Sequence, residues 1–280
     1  MDEDKKTSNL TKRVLIGIAG VPILVFLIYK GGYFFLSLSV IVQVLSLYEF
    51  YNLFKDKNIF PLKIFSIIAY TGLLGLSFFY FEHLEYIINL FVIFILLTIT
   101  FEVFRKEKRN PLNPIVSISG FLYITVPFIF LNLFNMNAGL QQGKFNVVLY
   151  IFVLIWVCDT FAYFGGRLLG KHRLSEISPK KTIEGSISGV IFTIGGALIF
   201  HYLIPDKLNI TDALVTGLII GVFGQVGDLF ESMLKRFCSV KDSSNIIPGH
   251  GGVLDRFDSL IFVSPIIYIY FSYLKYLVII

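Results

Sequence analysis

Long runs of apolar residues without charge alternate with short charged segments along most of the chain. Most of these runs reach the ~17–25 residues that cross a bilayer as an α-helix. The first run is short, and the flanking Lys30 and Tyr33 can extend it by turning their polar ends toward water. The pattern predicts an all-α fold, a polytopic membrane protein with about nine transmembrane helices, at residues 14–29, 33–54, 64–81, 86–104, 115–134, 146–164, 186–204, 211–230 and 259–279.

The same pattern divides the chain into three parts. A polar N-terminal segment, 1–13, is predicted to be cytoplasmic and to lead into a retained anchor, because the apolar run after it lacks a convincing cleavage site. Residues 14–145 would form an N-terminal region of about five spans. Residues 146–280 would form a catalytic region of about four spans, with long loops at 165–185 and 231–258.

The composition supports a membrane protein and excludes other classes. Hydrophobic residues make up 55% of the chain and charged residues only 15%, whereas a soluble domain carries about 25% charged residues. Soluble, disordered, fibrous and disulfide-stapled classes therefore do not fit. The two cysteines, Cys158 and Cys238, are too few for a disulfide framework or a zinc cluster and are expected to be free thiols.

The distribution of basic residues predicts the orientation in the membrane. With the N-terminus inside, 20 of the 24 lysines and arginines fall on the inner side, as the positive-inside rule requires. An odd number of spans then places the C-terminus outside and both long loops inside. The rule also accounts for the net charge of +5, so the charge does not indicate a nucleic-acid partner.

Ionisable residues inside a predicted span are candidates for function, because a charge in the bilayer is costly. Asp159, in the sixth span, is the clearest case. It would face a water-filled pocket, or else form an interfacial ion pair with Arg167. Glu49, near the predicted inner end of the second span, is a further group of this kind.

The loop after the sixth span places two adjacent lysines before a helix. Lys180 and Lys181 follow Ser178, and the next helix is expected to begin near Glu184. Helix N-termini attract anions, and lysine adds a positive charge suited to phosphate. The alternative is that these lysines are only inner-surface charge and that Glu184 only caps the helix.

Acidic and basic residues are densest between Gly227 and Asp258. Asp228, Glu231, Ser232 and Lys235 recur at helical spacing, so a continuing eighth helix would place them on one face. Asp255 and Asp258 are three residues apart at the start of the last span. Mg²⁺ takes one or two protein carboxylates and completes its coordination with phosphates and waters, so this pattern indicates a magnesium–nucleotide site for phosphoryl or nucleotidyl transfer.

Residues 232–258 resemble the sequence motif of the phosphatidate cytidylyltransferases, also called CDP-diacylglycerol synthases. That motif is Ser, two residues, Lys-Arg, four residues, Lys-Asp, five residues, Pro-x-His-Gly-Gly, two residues, Asp-Arg, one residue and Asp. The chain matches it from Ser232 to Asp258 without a departure. Upstream segments resemble the family as well, around Asp159, at 178–185 and at 227–232.

The resemblance implies a Mg²⁺-dependent reaction in phospholipid biosynthesis that converts CTP and phosphatidic acid to CDP-diacylglycerol and pyrophosphate. By position, Asp228 and Asp255 would be the metal ligands, and K⁺ is a further candidate ion at that site. The remaining catalytic candidates are Lys235, Arg236, Lys241, Asp242, His250, Arg256 and Asp258, of which Asp242, His250 and Asp258 would surround the metal ligands or contact the nucleotide. The substrate-binding candidates are Asp159, Ser178, Lys180, Lys181, Glu184 and Ser232, of which Asp159 and Glu184 would anchor basic residues by ion pairing.

The expected partners are CTP and membrane phosphatidic acid, without nucleic acid, and the glycine-rich helix faces allow a homodimer. The expected location is the inner (cytoplasmic) membrane, in which the protein would be multi-pass, with the active site on the cytoplasmic side. That side is the one on which an anionic nucleotide can meet a lipid phosphate.

Three other classes compete with this interpretation. A polyprenol kinase would share the cations and Mg²⁺ but would release CDP instead of pyrophosphate. A transporter would need matching broken helices in two inverted halves, which the sequence does not display. A structural membrane protein would not need acidic residues interleaved with the inner basic ones.

Overall fold

The computed structural model describes residues 17–80, 83–136, 145–247 and 251–274. Within these ranges the regular structure is helical, apart from isolated bridges between Arg173 and Thr182 and between Ile247 and Gly251. The helices are α1 (Gly17–Lys30), α2 (Gly32–Leu53), α3 (Lys63–Phe79), α4 (Leu84–Phe104), α5 (Leu112–Gly120), α6 (Val126–Met136), α7 (Val147–Leu169), α8 (Ile183–Leu203), α9 (Ile210–Phe237) and α10 (Leu254–Ile269).

These helices confirm the predicted fold class. Among the described residues, seven helical segments are long and apolar enough to cross a membrane, and α1 and α3 are shorter apolar helices. Each predicted run overlaps one of them. The predicted polar segment 1–13 and the parts of the runs at 14–16, 81 and 275–279 lie outside the described residues. The π-helical turn Phe121–Thr125 joins α5 to α6, and a second π-helical turn, Tyr270–Leu274, follows α10. The orientation of the termini stays a prediction.

Two helix ends differ from the expected bounds. Helix α9 continues to Phe237, seven residues beyond the predicted end, and α10 begins at Leu254, five residues before the predicted start. Both extensions carry charged residues, which a search for uncharged runs leaves out. The extra turns place Glu231, Asp255 and Asp258 on helices.

The described chain forms two compact units. The first contains the described residues of Met1–Met136 and Phe237–Arg256, and the second contains those of Asn137–Arg236 and Phe257–Ile280. The predicted division at residue 145 stays a prediction. Cys158 and Cys238 are both buried free thiols, as expected.

Buried polar side chains hold the first unit together. Gln43 on α2 donates to the Tyr70 carbonyl at 3.1 Å and to Thr125 Oγ1 at 2.9 Å. The hydroxyls of Tyr51 and Tyr70 both donate to the Ser117 carbonyl, at 2.9 and 2.8 Å. Since lipid offers no hydrogen bonds, interhelical bonds of this kind stabilise helix association in a membrane.

Small residues bring α7 and α8 together in the second unit. A Cβ added at Gly185 would lie 2.6 Å from the Ala162 carbonyl oxygen and 2.8 Å from the Gly166 Cα. Such contacts are too short for any side chain, so only glycine permits this approach of the two backbones. The crossing positions the C-terminal end of α7 beside the N-terminal end of α8, where the candidate site lies.

Candidate active site

The C-terminal part of α9 presents a charged face. Asp228, Glu231 and Lys235 are spaced three and four residues apart and therefore share one side of the helix. Asp258, on α10, meets that side: oxygen atoms from Asp228, Glu231 and Asp258 all lie within 4.8 Å of one another. We call these three residues the carboxylate cluster.

A glycine makes the contact between α9 and α10 close enough for this cluster. A Cβ at position 227 would lie 2.7 Å from the Asp258 carbonyl oxygen and 3.0 Å from the Phe262 Cβ. Nearby, Ser259 Oγ donates to the Gly224 carbonyl at 2.9 Å. The position of Asp258 beside α9 therefore depends on the absence of a side chain at Gly227.

Two lysines neutralise part of the charge of the carboxylate cluster. Lys235 Nζ donates to Glu231 Oε2 at 2.9 Å, and both side chains are buried. Lys181 forms an ion pair with Asp228. Because buried charges are costly unless they are paired, these contacts stabilise the cluster. Two of the three carboxylates, Glu231 and Asp228, thus each have a lysine as a partner.

A cavity of about 410 Å³ opens beside the cluster. It lies among α7, α8, α9 and the loop between α7 and α8, and all of its lining belongs to the second unit. It gathers five of the residues predicted from sequence, namely Asp159, Ser178, Lys180, Lys181 and Asp228. Its remaining lining is Ala162, Tyr163, Gly166, Arg167, Leu174, Thr182, Ser186 and Gln225.

The loop before α8 folds back on itself and thereby fixes Lys181. The Leu174 amide donates to the Lys181 carbonyl at 2.9 Å, and the Lys181 amide donates to the Ser178 carbonyl at 3.0 Å. Thr182 caps α8, because its hydroxyl accepts from the Gly185 amide at 3.1 Å. Burial lowers the pKa of Lys181, and the nearby carboxylates of Asp258 and Asp159 oppose that shift.

Glu184, in the first turn of α8, anchors the same loop. Its carboxylate accepts from the backbone amides of Lys171 and His172, at 3.1 and 3.3 Å, and lies 2.6 Å from His172 Nδ1. The expected anchoring of basic residues thus takes the form of backbone hydrogen bonds and a histidine contact. Glu184 holds the loop that carries Lys180 and Lys181.

Asp255 belongs to the first unit, in the first turn of α10. Its Oδ2 accepts hydrogen bonds from the Ser243 amide at 3.0 Å and the Gly252 amide at 2.7 Å, and it lies 2.9 Å from the Ser243 hydroxyl oxygen. The assignment of Asp228 and Asp255 as metal ligands stays a prediction.

The other predicted site residues differ in their exposure to solvent. On α9, Ser232 is half-buried and Arg236 is exposed. In the first unit, Lys241, Asp242 and Arg256 are exposed. His250 lies outside the described residues.

Sequence reasoning missed several members of the site. Helical spacing places Glu231 on the charged face, but Glu231 is not among the predicted site residues. Asp258 is among them, and the structure places it in the carboxylate cluster. Arg167, Thr182 and Gln225 also line the cavity. Glu231 could have been found from its three-residue spacing to Asp228, whereas Gln225 gives no such signal within an apolar span.

The carboxylate cluster fits a hard divalent cation. Every ligand atom that it offers is a carboxylate oxygen, and oxygen is what Mg²⁺ takes from proteins. The lysines beside it suit phosphate groups, which complete the coordination of Mg²⁺ in nucleotide sites.

Comparison with known proteins identifies the family. A family model described as the cytidylyltransferase family matches residues 11–274. A phosphatidate cytidylyltransferase of Bacillus subtilis is 36% identical over 93% of this chain and 97% of its own length. One of Staphylococcus aureus is 32% identical over 91% of this chain and 96% of its own length. One of Staphylococcus haemolyticus is 43% identical over a shorter stretch, 53% of this chain and 57% of the relative.

The chain therefore belongs to the cytidylyltransferase family. It is a nucleotidyltransferase embedded in a membrane by apolar helices.

Proposed function

We propose that this protein transfers CMP from CTP to phosphatidic acid, which yields CDP-diacylglycerol and pyrophosphate for phospholipid biosynthesis. The observation that carries the proposal is the cavity of the second unit, whose lining includes Lys180, Lys181 and Asp228, a member of the carboxylate cluster. The names of the curated relatives support the same reaction.

The chemistry needs no nucleophile from the protein. A phosphate oxygen of phosphatidic acid attacks the α-phosphorus of CTP and forms a new phosphorus–oxygen bond. The bond from that phosphorus to the oxygen bridging to the β-phosphate breaks, and its electron pair leaves with pyrophosphate. The protein contributes orientation and stabilisation of negative charge, which are the main terms in such transfers.

The residues of the cavity divide this work between them. Lys180, Lys181 and Arg167 supply positive charge for the phosphate groups, and Lys181 is held in place by its backbone hydrogen bonds. Asp228 would hold Mg²⁺ together with the predicted ligand Asp255, and Glu231 and Asp258 lie within reach of the Asp228 carboxylate. When bound, the ion supplies charge neutralisation on the phosphates.

The membrane and the side of it on which the reaction takes place are also part of the proposal. The excess of lysine and arginine on one side supports an active site on the cytoplasmic side of the inner membrane. CTP is a soluble nucleotide of the cytoplasm, and the phosphate of phosphatidic acid lies at the level of the lipid headgroups. A homodimer and a K⁺ ion at the metal site are further parts of the proposal, and both rest on the family resemblance.

One experiment tests the reaction directly. The purified protein in detergent is incubated with cytosine-labelled CTP, phosphatidic acid and Mg²⁺, and the products are extracted into organic solvent. We expect label in the lipid phase and release of pyrophosphate, both dependent on phosphatidic acid. Release of CDP with unlabelled lipid would instead indicate a lipid kinase and would overturn the proposal.

A further inference from the structure

Glu49, on α2 of the first unit, is a fully buried carboxylate that lies within hydrogen-bond distance of four donor groups of one distant segment. It lies 194 residues or more from every donor. The donors are the Ser243 hydroxyl at 3.0 Å, the Ser244 hydroxyl at 2.6 Å, the Val253 amide at 2.9 Å and the Leu254 amide at 2.8 Å. All of these residues belong to the first unit.

Two of these donors lie at the beginning of α10. The first amides of a helix have no partner within the helix and prefer a negative charge nearby. Val253 directly precedes α10, and Leu254 is its first residue. Glu49, on α2, therefore supplies a negative charge to the beginning of α10 from another helix. The carboxylate of Glu49 therefore fixes where α10 starts, one residue before Asp255.

Ser243 links Glu49 to Asp255. Its hydroxyl oxygen lies 3.0 Å from Glu49 Oε2 and 2.9 Å from Asp255 Oδ2. Gly252 lies against the same groups, because a Cβ there would overlap the Ser243 hydroxyl and the Glu49 carboxylate. The two carboxylates thus contact the same serine hydroxyl, and Gly252 leaves no room for a side chain beside them.

We propose that Glu49 is a positioning residue, which clamps residues 243–247 and 251–254 and thereby fixes the orientation of the Asp255 carboxylate. The effect on turnover rests on the proposed function, in which Asp255 is a predicted metal ligand. The clamp itself rests only on the hydrogen bonds of the first unit. Nothing in the local sequence around Glu49 indicates this role.

Glutamine is the most informative replacement for Glu49. Glu49→Gln would keep the shape of the side chain but would replace one acceptor oxygen of the carboxylate with an NH₂ group. That NH₂ group would face hydrogen-bond donors, so at least one of them would lose its partner. Glu49→Asp keeps the charge on a shorter stem and serves as the conservative variant.

Glu102→Gln is the matched control. Glu102 is also a buried carboxylate of the first unit, and it accepts from the Asn110 amide, Asn113 Nδ2 and Arg105 Nη1 at 2.8, 2.7 and 3.0 Å. Its partners do not include the segment that Glu49 holds. It reports what the loss of a buried carboxylate does to the unit in general.

The test compares Glu49→Gln, Glu49→Asp and Glu102→Gln by hydrogen exchange and by kinetics, on the full-length protein in detergent. We expect Glu49→Gln to speed amide exchange in peptides covering 251–258, with no change in peptides from α8. We also expect kcat to fall roughly 10–100-fold, as for the loss of groups that orient metal ligands, with a smaller change in KM for CTP. Glu49→Asp should restore part of kcat.

Unchanged exchange at 251–258 in Glu49→Gln, or unchanged kcat, would overturn the proposal. Equal effects of Glu102→Gln on the same peptides and on kcat would overturn it as well, because the effect would then be general destabilisation. If the unaltered protein made no CDP-lipid, the proposed function would fail, while the exchange data would still decide whether Glu49 clamps the segment.

Discussion

At the scale of single residues, the acidic groups on α9 and α10 have distinct partners. Glu231 is paired with Lys235 at 2.9 Å, and Asp228 is paired with Lys181. Asp228 is also partly exposed and lines the cavity. Among the three clustered carboxylates, Asp228 is therefore the one placed to meet a bound nucleotide.

Asp228→Asn should abolish CDP-lipid formation with little effect on folding. The substitution removes a negative oxygen at the predicted metal site but keeps the size of the side chain. We expect activity to fall by more than the roughly 10–100-fold that changes around a metal site cost. Asp206→Asn, at an exposed position between α8 and α9 that does not line the cavity, is the control. Normal turnover of Asp228→Asn would refute the metal assignment.

The sequence predicted some site residues and could not predict others, for physical reasons. Helical spacing was sufficient to place Asp228, Glu231 and Lys235 on one face, because their neighbours are on the same helix. The role of Glu49 could not be predicted, since its partners lie 194 or more residues away. The contact of Asp258 with α9 could not be predicted either, because it depends on helix packing around Gly227.

At the scale of helices, the lengths of the uncharged runs were enough to predict the membrane spans. They did not predict the helix ends that carry the charged residues of the site. The apolar runs match the helices because lipid requires a continuous helix of apolar residues. The first turns of α10 contain Asp255, Arg256 and Asp258, so hydropathy alone assigns them to a loop. The π-helical turns at Phe121–Thr125 and Tyr270–Leu274 leave no mark in the apolar pattern.

Two glycines on α9 provide a matched test of the α9–α10 contact. A Cβ at Gly227 would lie 2.7 Å from the Asp258 carbonyl oxygen, whereas one at Gly224 would make ordinary contacts of 3.7 Å with Ser259 and Val263. Gly227→Ala should therefore displace α10 and lower both activity and thermal stability, by about 1–3 kcal/mol for overpacking. Gly224→Ala should leave both close to those of the unaltered protein.

The measurements are CDP-lipid formation and the midpoint of thermal unfolding in detergent. Equal behaviour of the two alanine variants would show that the close approach at Gly227 does not control the carboxylate cluster. A larger loss in Gly224→Ala would contradict the described packing of α9 on α10.

At the scale of the whole molecule, the charge distribution predicts the topology. Nine spans with the N-terminus inside put residues 231–258 in the cytoplasm and the C-terminus outside. A reporter that is active only outside the cytoplasm should therefore be active when fused after the last residue. The same reporter fused within 239–245 should be inactive. Activity of both fusions, or of neither, would contradict the predicted span count.

The pairing of two lysines with the carboxylate cluster has a consequence for how the enzyme folds. Lys235 and Lys181 already compensate two of its acidic groups, so we expect the chain to fold without a divalent ion, unlike proteins whose metal-binding energy is their folding energy. Chelation by EDTA should stop turnover yet leave the unfolding midpoint unchanged, and readdition of Mg²⁺ should restore turnover. A large drop in that midpoint on chelation would contradict this view. The enzyme would then be fully folded in the membrane before magnesium binds, and its turnover would be set by the supply of magnesium and CTP.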